Sequence, residues 1–366
     1  MKFIINREEL LKPLQYVSGI VEKRQTQPIL SNCLLEVQGQ RLVITVTDSE
    51  IEMVTSASIE EGSEGEITVP ARKLIDICRA LPEGQNLSFS LEEGRAILKT
   101  GRSRFVLATL PANEFPSTEQ ISIIQDLAIS QKALKYCIQR THFAMAQQDV
   151  RHYLRGLLLE LNGNRLRCVS TDGHRLALCD REIGVSFDEP QQIILPRKAV
   201  NELIRLLADE EEVIRLQIDP NHLRIITETF QFTSKLVDGK FPDYERVLPQ
   251  KTTNPIIADT ATLKQALVRT SILSNERFRS VRLQLEPNKI RILANNPDQE
   301  EAEDEIEVSY GGDSFEAGFN ANYILDALSA IEENQVDVEL ADPNSCCLIK
   351  GLDNSECKYV IMPMRI

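Results

Sequence analysis

The pairs Thr47-Asp48, Val69-Pro70 and Phe115-Pro116 return in the same order about 125 residues later as Thr171-Asp172, Leu195-Pro196 and Phe241-Pro242. A third echo sets Glu286 in step with Glu36 and Glu160, and Asn295 in step with Thr47. Three divergent copies therefore fill the 366 residues. The period is far longer than a solenoid unit, so each copy is expected to be a domain with its own core. The expected boundaries are 1–124, 125–252 and 253–366.

Each copy repeats one order of apolar patterns. A first helix is predicted from Leu10, Leu11, Leu14 and Val17, then from Leu134, Cys137 and Ile138, then from Leu263, Ala266 and Leu267, all at helical spacing. Pro13 weakens the first, because an interior proline removes a helical hydrogen bond. Strands of period two follow at Leu42, Ile44 and Val46, at Leu166 and Cys168, and at Ile290, Ile292 and Ala294. A second helix carries Leu74, Ile75, Cys78 and Leu81 in the first copy, Val200, Leu203, Ile204 and Leu207 in the second, and Ile324, Leu325 and Leu328 in the third. Another alternating strand closes each copy, at Leu87/Phe89/Leu91, Ile214/Leu216/Ile218 and Val336/Val338/Leu340. Two helices on antiparallel sheet, three times over, make an α+β fold.

Composition is that of a globular chain, 42% apolar and 26% charged. No apolar run approaches the roughly 20 residues of a membrane span, and the charged start of the chain offers no signal-peptide core, so a cytoplasmic protein is expected. The eight cysteines, Cys33, Cys78, Cys137, Cys168, Cys179, Cys346, Cys347 and Cys357, form no CxxC pair and mostly sit in apolar-periodic segments. They read as small core residues, without disulfides, metal or cofactor.

A net charge of −14 predicts a surface that repels polyanions. Certain helix faces depart from it. Arg72, Lys73, Asp76 and Arg79 lie opposite the apolar stripe of one helix, Lys198, Glu202 and Arg205 opposite that of another, and Lys132, Lys135 and Gln139 on a third. Long cations there suit phosphate contacts that ignore sequence, although a plain solvated face has the same spacing. The third copy's second helix has Asp326, Glu332 and Glu333 and no lysine or arginine.

An enzyme would have to use Asp172 and His174, two apart in Thr171-Asp172-Gly173-His174-Arg175, as an acid/base pair. No Gly-rich phosphate loop, HExxH helix or GxSxG elbow accompanies them, so catalysis is not expected. A protein-binding scaffold without nucleic acid is the other alternative, and the basic helix faces argue against it.

Three longer stretches carry a resemblance: 171–177, TDGHRLA; 232–244, FTSKLVDGKFPDY; and the terminal 360–366, VIMPMRI; with them goes 274–279, SNERFR. Together they are similar to the bacterial sliding clamps, the beta subunits of DNA polymerase III, and the similarity runs the length of the chain. It implies a head-to-tail homodimer whose six domains close a ring around duplex DNA and tether polymerases. DNA-contacting positions would be Arg24, Arg72, Lys73, Arg79, Gln147, Gln148, Arg151, Tyr153, Arg197, Lys198 and Arg205.

The resemblance also implies a peptide cleft between the second and third domains. Matching positions are Leu154, Thr171, Gly173, His174, Arg175, Leu176, Pro242, Arg246, Val247 and Tyr323, with Met362, Pro363, Met364 and Arg365 at the end of the chain. Methionines there would adapt to varied apolar side chains. Implied partners are replicative and translesion polymerases, the clamp loader, mismatch repair proteins and DNA ligase. The dimer interface would join Lys73, Arg102, Arg104, Phe105 and Leu107, beside Lys99, to Ile272, Leu273 and the acidic run of Glu300, Glu301, Glu303 and Asp304. Taken alone that run reads as a solvated, self-repelling loop; opposite charge on a partner would make it a steering device.

Overall fold

The computed structural model describes residues 1–21, 27–116, 122–249, 254–354 and 356–365. Arg24, Ile366 and the expected boundary between 252 and 253 lie outside them. Among the described residues six α-helices occur: α1 (Arg7–Val17), α2 (Ala71–Ala80), α3 (Gln131–Gln139), α4 (Arg197–Leu206), α5 (Thr260–Ser271) and α6 (Ala321–Ala330). The apolar stripes account for all of them. Pro13 sits buried inside α1, which runs through it; Asn6 caps its N-terminus by accepting the Glu8 amide, and Glu8 and Glu9 favour the positive end of the dipole. Asp259 and Asn320 cap α5 and α6 in the same way.

The chain packs into two compact units, Met1–Gln131 with Arg205–Leu236, and Lys132–Ile204 with Val237–Ile366. The middle copy is thus divided between its neighbours, and strand pairing explains why. In the first unit an eight-stranded antiparallel sheet includes strand Ile51–Ser58 from the first copy and strand Phe230–Lys235 from the second. They pair directly, with Thr55 opposite Phe230 and Ile51 opposite Ser234. In the second unit the same join recurs. Strand Arg175–Pro196 of the second copy pairs with Cys357–Ile361 of the third, Leu176 opposite Val360. Each join makes one continuous sheet out of two copies, so a cut at the sequence repeat would sever a ladder of backbone hydrogen bonds.

Two strands equivalent to these stand at sheet edges. Ser103–Ala108 ends the five-stranded sheet of the first unit, and Glu301–Glu307 ends the four-stranded sheet of the second. The acidic run is therefore an edge strand and no loose loop. Its alternation puts Glu301, Glu303, Glu305 and Glu307 in solvent, while Ile306 turns to the core. Arg291 lies 3.4 Å from Glu303 and 3.2 Å from Glu305, and Arg269 meets Asp304 at 2.6 Å, which offsets the self-repulsion.

The repeated Thr-Asp is a turn device. Thr47 Oγ1 donates to the Ile51 carbonyl, and Asp48 Oδ1 accepts the amides of Glu50 and Ile51. Thr171 Oγ1 donates to the Arg175 carbonyl, and Asp172 Oδ1 accepts the amides of His174 and Arg175. Ser49 and Gly173 take positive φ, 77° and 87°, at the same step. Asn296 does this work in the third copy, with its Oδ1 accepting the Glu300 amide.

The free cysteines are buried, apart from the half-buried Cys346. Burial pushes the Cys33 and Cys78 thiols up to about 12, which suits packing and not reactivity.

Candidate functional site

In the second unit, Leu158, Val169, Leu176, Leu178, Ile194, Phe241, Tyr244, Leu348 and Val360 form one apolar cluster. A cavity of 190 Å³ opens into it. Leu154 and Leu176 form apolar floor, Val247, Val360 and Met362 apolar wall, and Pro242 part of the rim. Thr171, Gly173 and Arg175 enter from the turn just described. A concave, mostly apolar hollow of this size holds one or two large side chains.

Arg175 stiffens one end of it. Its Nε donates to Asp172 Oδ2 at 3.2 Å, its Nη2 to the Phe143 carbonyl at 2.8 Å, and its Nη1 to Asp326 on α6. The guanidinium also lies over the Tyr323 ring. Asp172 is thereby committed to two backbone amides and one guanidinium, which leaves it poorly suited to act as a base towards His174.

The underside is braced as well. Arg167 grips Asp180 through two nitrogens and donates at 3.0 Å to the Tyr244 hydroxyl. That hydroxyl in turn donates to Glu160. Tyr244 thus presents its ring to the cavity from a fixed position.

Of the expected cleft residues, Leu154, Thr171, Gly173, Arg175, Leu176, Pro242, Val247 and Met362 line this cavity. Tyr323 stacks on Arg175, while His174 is exposed and its carbonyl accepts the Met362 amide at 2.9 Å. Arg246 is exposed and pairs with Asp243 at 2.6 Å; Pro363 is half-buried. Met364 and Arg365 line a different hollow. Asp243, Tyr244 and Val360 line the cavity without having been expected, and so does Arg151, expected on the nucleic-acid face. Val360 was detectable, since it stands two residues before Met362, which directly follows the strand Cys357–Ile361.

The basic residues fall into two kinds. Lys73 and Arg79 are exposed on α2, opposite its buried Leu74, Ile75 and Cys78. Gln147 and Gln148 are exposed in a loop, Tyr153 and Lys198 half-buried. Other arginines turn back on the chain. Arg72 donates to the Val21 carbonyl, Arg197 to those of Met145 and Ala146, and Arg205 to those of Gln15 and Tyr16. Arg205 therefore supplies the cation that α1 lacks in its own last turn. Arg151 chelates Asp149, whose carboxyl its hydrogen bonds hold down at about 2.

At the expected interface, Arg102 and Arg104 are exposed and Phe105 half-buried, but Leu107 packs into its own core while Val106 is exposed. Ile272, just past the end of α5, is 71% exposed, and Leu273 is half-buried. Among the described residues no group of His, Cys, Asp and Glu is arranged to hold a metal ion, and no helix is long and apolar enough to cross a membrane.

Family models described as the N-terminal, central and C-terminal domains of the DNA polymerase III beta subunit match residues 1–119, 128–243 and 245–365. The beta sliding clamp of Pseudomonas putida is 52% identical, with 100% of each chain covered. That of Escherichia coli is 47% identical at the same coverage. A solved Pseudomonas aeruginosa sliding clamp, DNA polymerase III subunit beta bound to griselimycin, superposes with a TM-score of 0.97 at 51% identity, again over 100% of both chains.

Proposed function

Since this chain belongs to the DNA polymerase III beta subunit family, the bacterial beta sliding clamps, we propose that two copies close head to tail into a ring around duplex DNA. The sheet joins carry this reading. Within the chain, Ile51–Ser58 pairs with Phe230–Lys235, and Arg175–Pro196 with Cys357–Ile361. The next members of the two series, Glu301–Glu307 and Ser103–Ala108, have an open edge. Pairing the acidic edge of one copy with the basic edge of another continues the same join and satisfies the exposed amides and carbonyls. Such a contact is heterologous, so it closes only if the rotation per copy completes a circle. Unlike charges steer the edges together, and Phe105, Val106, Ile272 and Leu273 supply apolar area.

A topological link needs no tight grip on DNA. Lys73 and Arg79 supply sequence-independent phosphate contact, and readout of base edges would impede sliding. The cavity at Leu176 and Met362 then takes short peptides from polymerases and, in the same manner, from the clamp loader, mismatch repair proteins and DNA ligase. The action is tethering, without catalysis. The test is retention: protein loaded on nicked circular DNA stays bound through gel filtration and runs off after linearisation. Equal loss from both forms rejects the ring.

A further inference from the structure

Met364 and Arg365, just beyond the cleft wall at Met362, line a second hollow of 550 Å³. The Met364 amide donates to the Gly318 carbonyl at 2.8 Å, so the tail runs against the edge strand Phe315–Asn320 of the four-stranded sheet. Leu293 and Phe278 provide apolar surface there. Phe278 is 50% exposed, with the Arg277 guanidinium 5.2 Å from its ring centroid, and its backbone is pinned. Asn275 Oδ1 accepts its amide and that of Arg277, and the Arg279 amide closes the turn on the Asn275 carbonyl. An ordered turn that holds an aromatic ring in solvent beside a hollow has the character of a docking site.

The charge of the hollow narrows the occupant. Its lining includes Arg282 and Arg365 and no carboxylate. Arg282 reaches Glu316 at 3.3 Å through one nitrogen, while its Nε is buried without a partner. Two extended residues span about 7 Å, so the step from Met362 to Met364 is short for a bound peptide.

We infer that this hollow receives the flank of the peptide that fills the cleft: an extended segment bringing one large apolar side chain to Phe278 and Leu293 and a carboxylate to Arg282. The inference rests on the cleft reading and adds a second determinant of partner choice. The charged groups lining the cleft, Arg151, Arg175 and Asp243, are already paired with Asp149, Asp326 and Arg246, so an acidic flank would rank partners that fill the cleft alike.

The test compares three synthetic peptides by fluorescence anisotropy on the intact protein. One is a short peptide with a glutamine followed by a leucine and a phenylalanine, whose two large side chains suit the apolar cleft; one adds a four-residue flank with leucine and aspartate; one has lysine for that aspartate. The acidic flank is expected to tighten binding about tenfold, and the basic one much less. Phe278→Ala and Arg282→Gln should each remove most of the gain and leave the short peptide unchanged. Phe278 is exposed, so its variant folds. A flank that adds nothing, a lysine flank that gains equally, or a gain that survives both variants overturns the inference while the cleft stands. Failure of every peptide to bind overturns the cleft reading and this inference with it.

Discussion

The guanidinium carbon of Arg175 lies 4.5 Å from the centroid of the Tyr323 ring. This contact ties α6 to the turn that edges the cleft, and Asp326 on α6 belongs to the same tie. Asp326 pairs with Arg175, whereas Glu332 and Glu333, expected on this helix, lie beyond its end at Ala330, Glu332 pairing with Arg140 and Glu333 accepting from Asn354. The absence of lysine and arginine there thus has a structural reason. Arg175→Lys keeps the charge and loses the planar fork, so both the stack and the hydrogen bonds to Asp172 and Phe143 fail together. The expected loss is about 1–3 kcal/mol of stability with a parallel loss of peptide affinity. Thermal unfolding beside peptide titration checks it; an unchanged melting temperature contradicts the bracing role.

Ile272 and Leu273 follow the end of α5, and the exposure of Ile272 means that its truncation leaves the protomer core intact. Replacing both by alanine should yield folded monomers, because each side chain forfeits about 2–5 kcal/mol if fully buried between copies. Sedimentation at nanomolar concentration decides the matter. A persisting dimer would falsify the assignment of these residues.

The nucleic-acid face separates into residues that test DNA contact and residues that test folding. Lys73→Gln with Arg79→Gln should weaken DNA binding equally across sequences, with the melting temperature unchanged. The salt slope should fall by roughly 0.9 for each phosphate that is no longer neutralised. Arg205→Gln should lower the melting temperature too, because it removes the donor at the end of α1. Wild-type salt slopes in the α2 double variant would move the DNA face elsewhere.

Asp149 supplies a pH prediction. Its carboxyl is held down at about 2 by Arg151, so the stabilisation it brings is complete above its ordinary value of 3.8 and is lost as pH falls through the folded value. Arg151 at the cleft rim is therefore held in place throughout the physiological range. An NMR titration of the Asp149 carboxyl should find its midpoint near 2; a midpoint near 3.8 would mean that the pair does not persist in solution.

Helices and repeat were legible in the sequence because both leave periodic marks, Leu74/Ile75/Cys78 being one and the recurring Thr-Asp another. The sharing of sheets between copies was not. Nothing in Phe230–Lys235 or Ile51–Ser58 says which strand of another copy will be its neighbour, since backbone pairing carries little side-chain signature. The same limit hid the edge-strand nature of the acidic run, where glutamates at every second position look alike in a loop and in a strand. Arg72, Arg197 and Arg205 have the spacing of solvent-facing cations; their bonds to carbonyls distant in sequence emerge only from folding.

The cleft gives the most discriminating prediction, because its residues differ in what else they support. Leu176 is 4% exposed and belongs to the buried cluster, so Leu176→Ala should cost about 2–5 kcal/mol of stability along with peptide binding. Met362 is half-buried and anchored through its backbone amide, which an alanine keeps. Met362→Ala should therefore leave folding nearly unchanged and remove one apolar contact from the ligand, about 1.5–3 kcal/mol if fully used, or a tenfold to hundredfold loss of affinity. Deleting the chain from Met362 onward removes that wall and the Met364 bond to Gly318 as well, so binding and polymerase processivity should vanish while dimers and retention on circular DNA persist. Peptide titration, analytical sedimentation and retention assays on the same three variants separate the outcomes. A folded Met362→Ala protein that binds the peptide as tightly as the parent would place the partner site elsewhere.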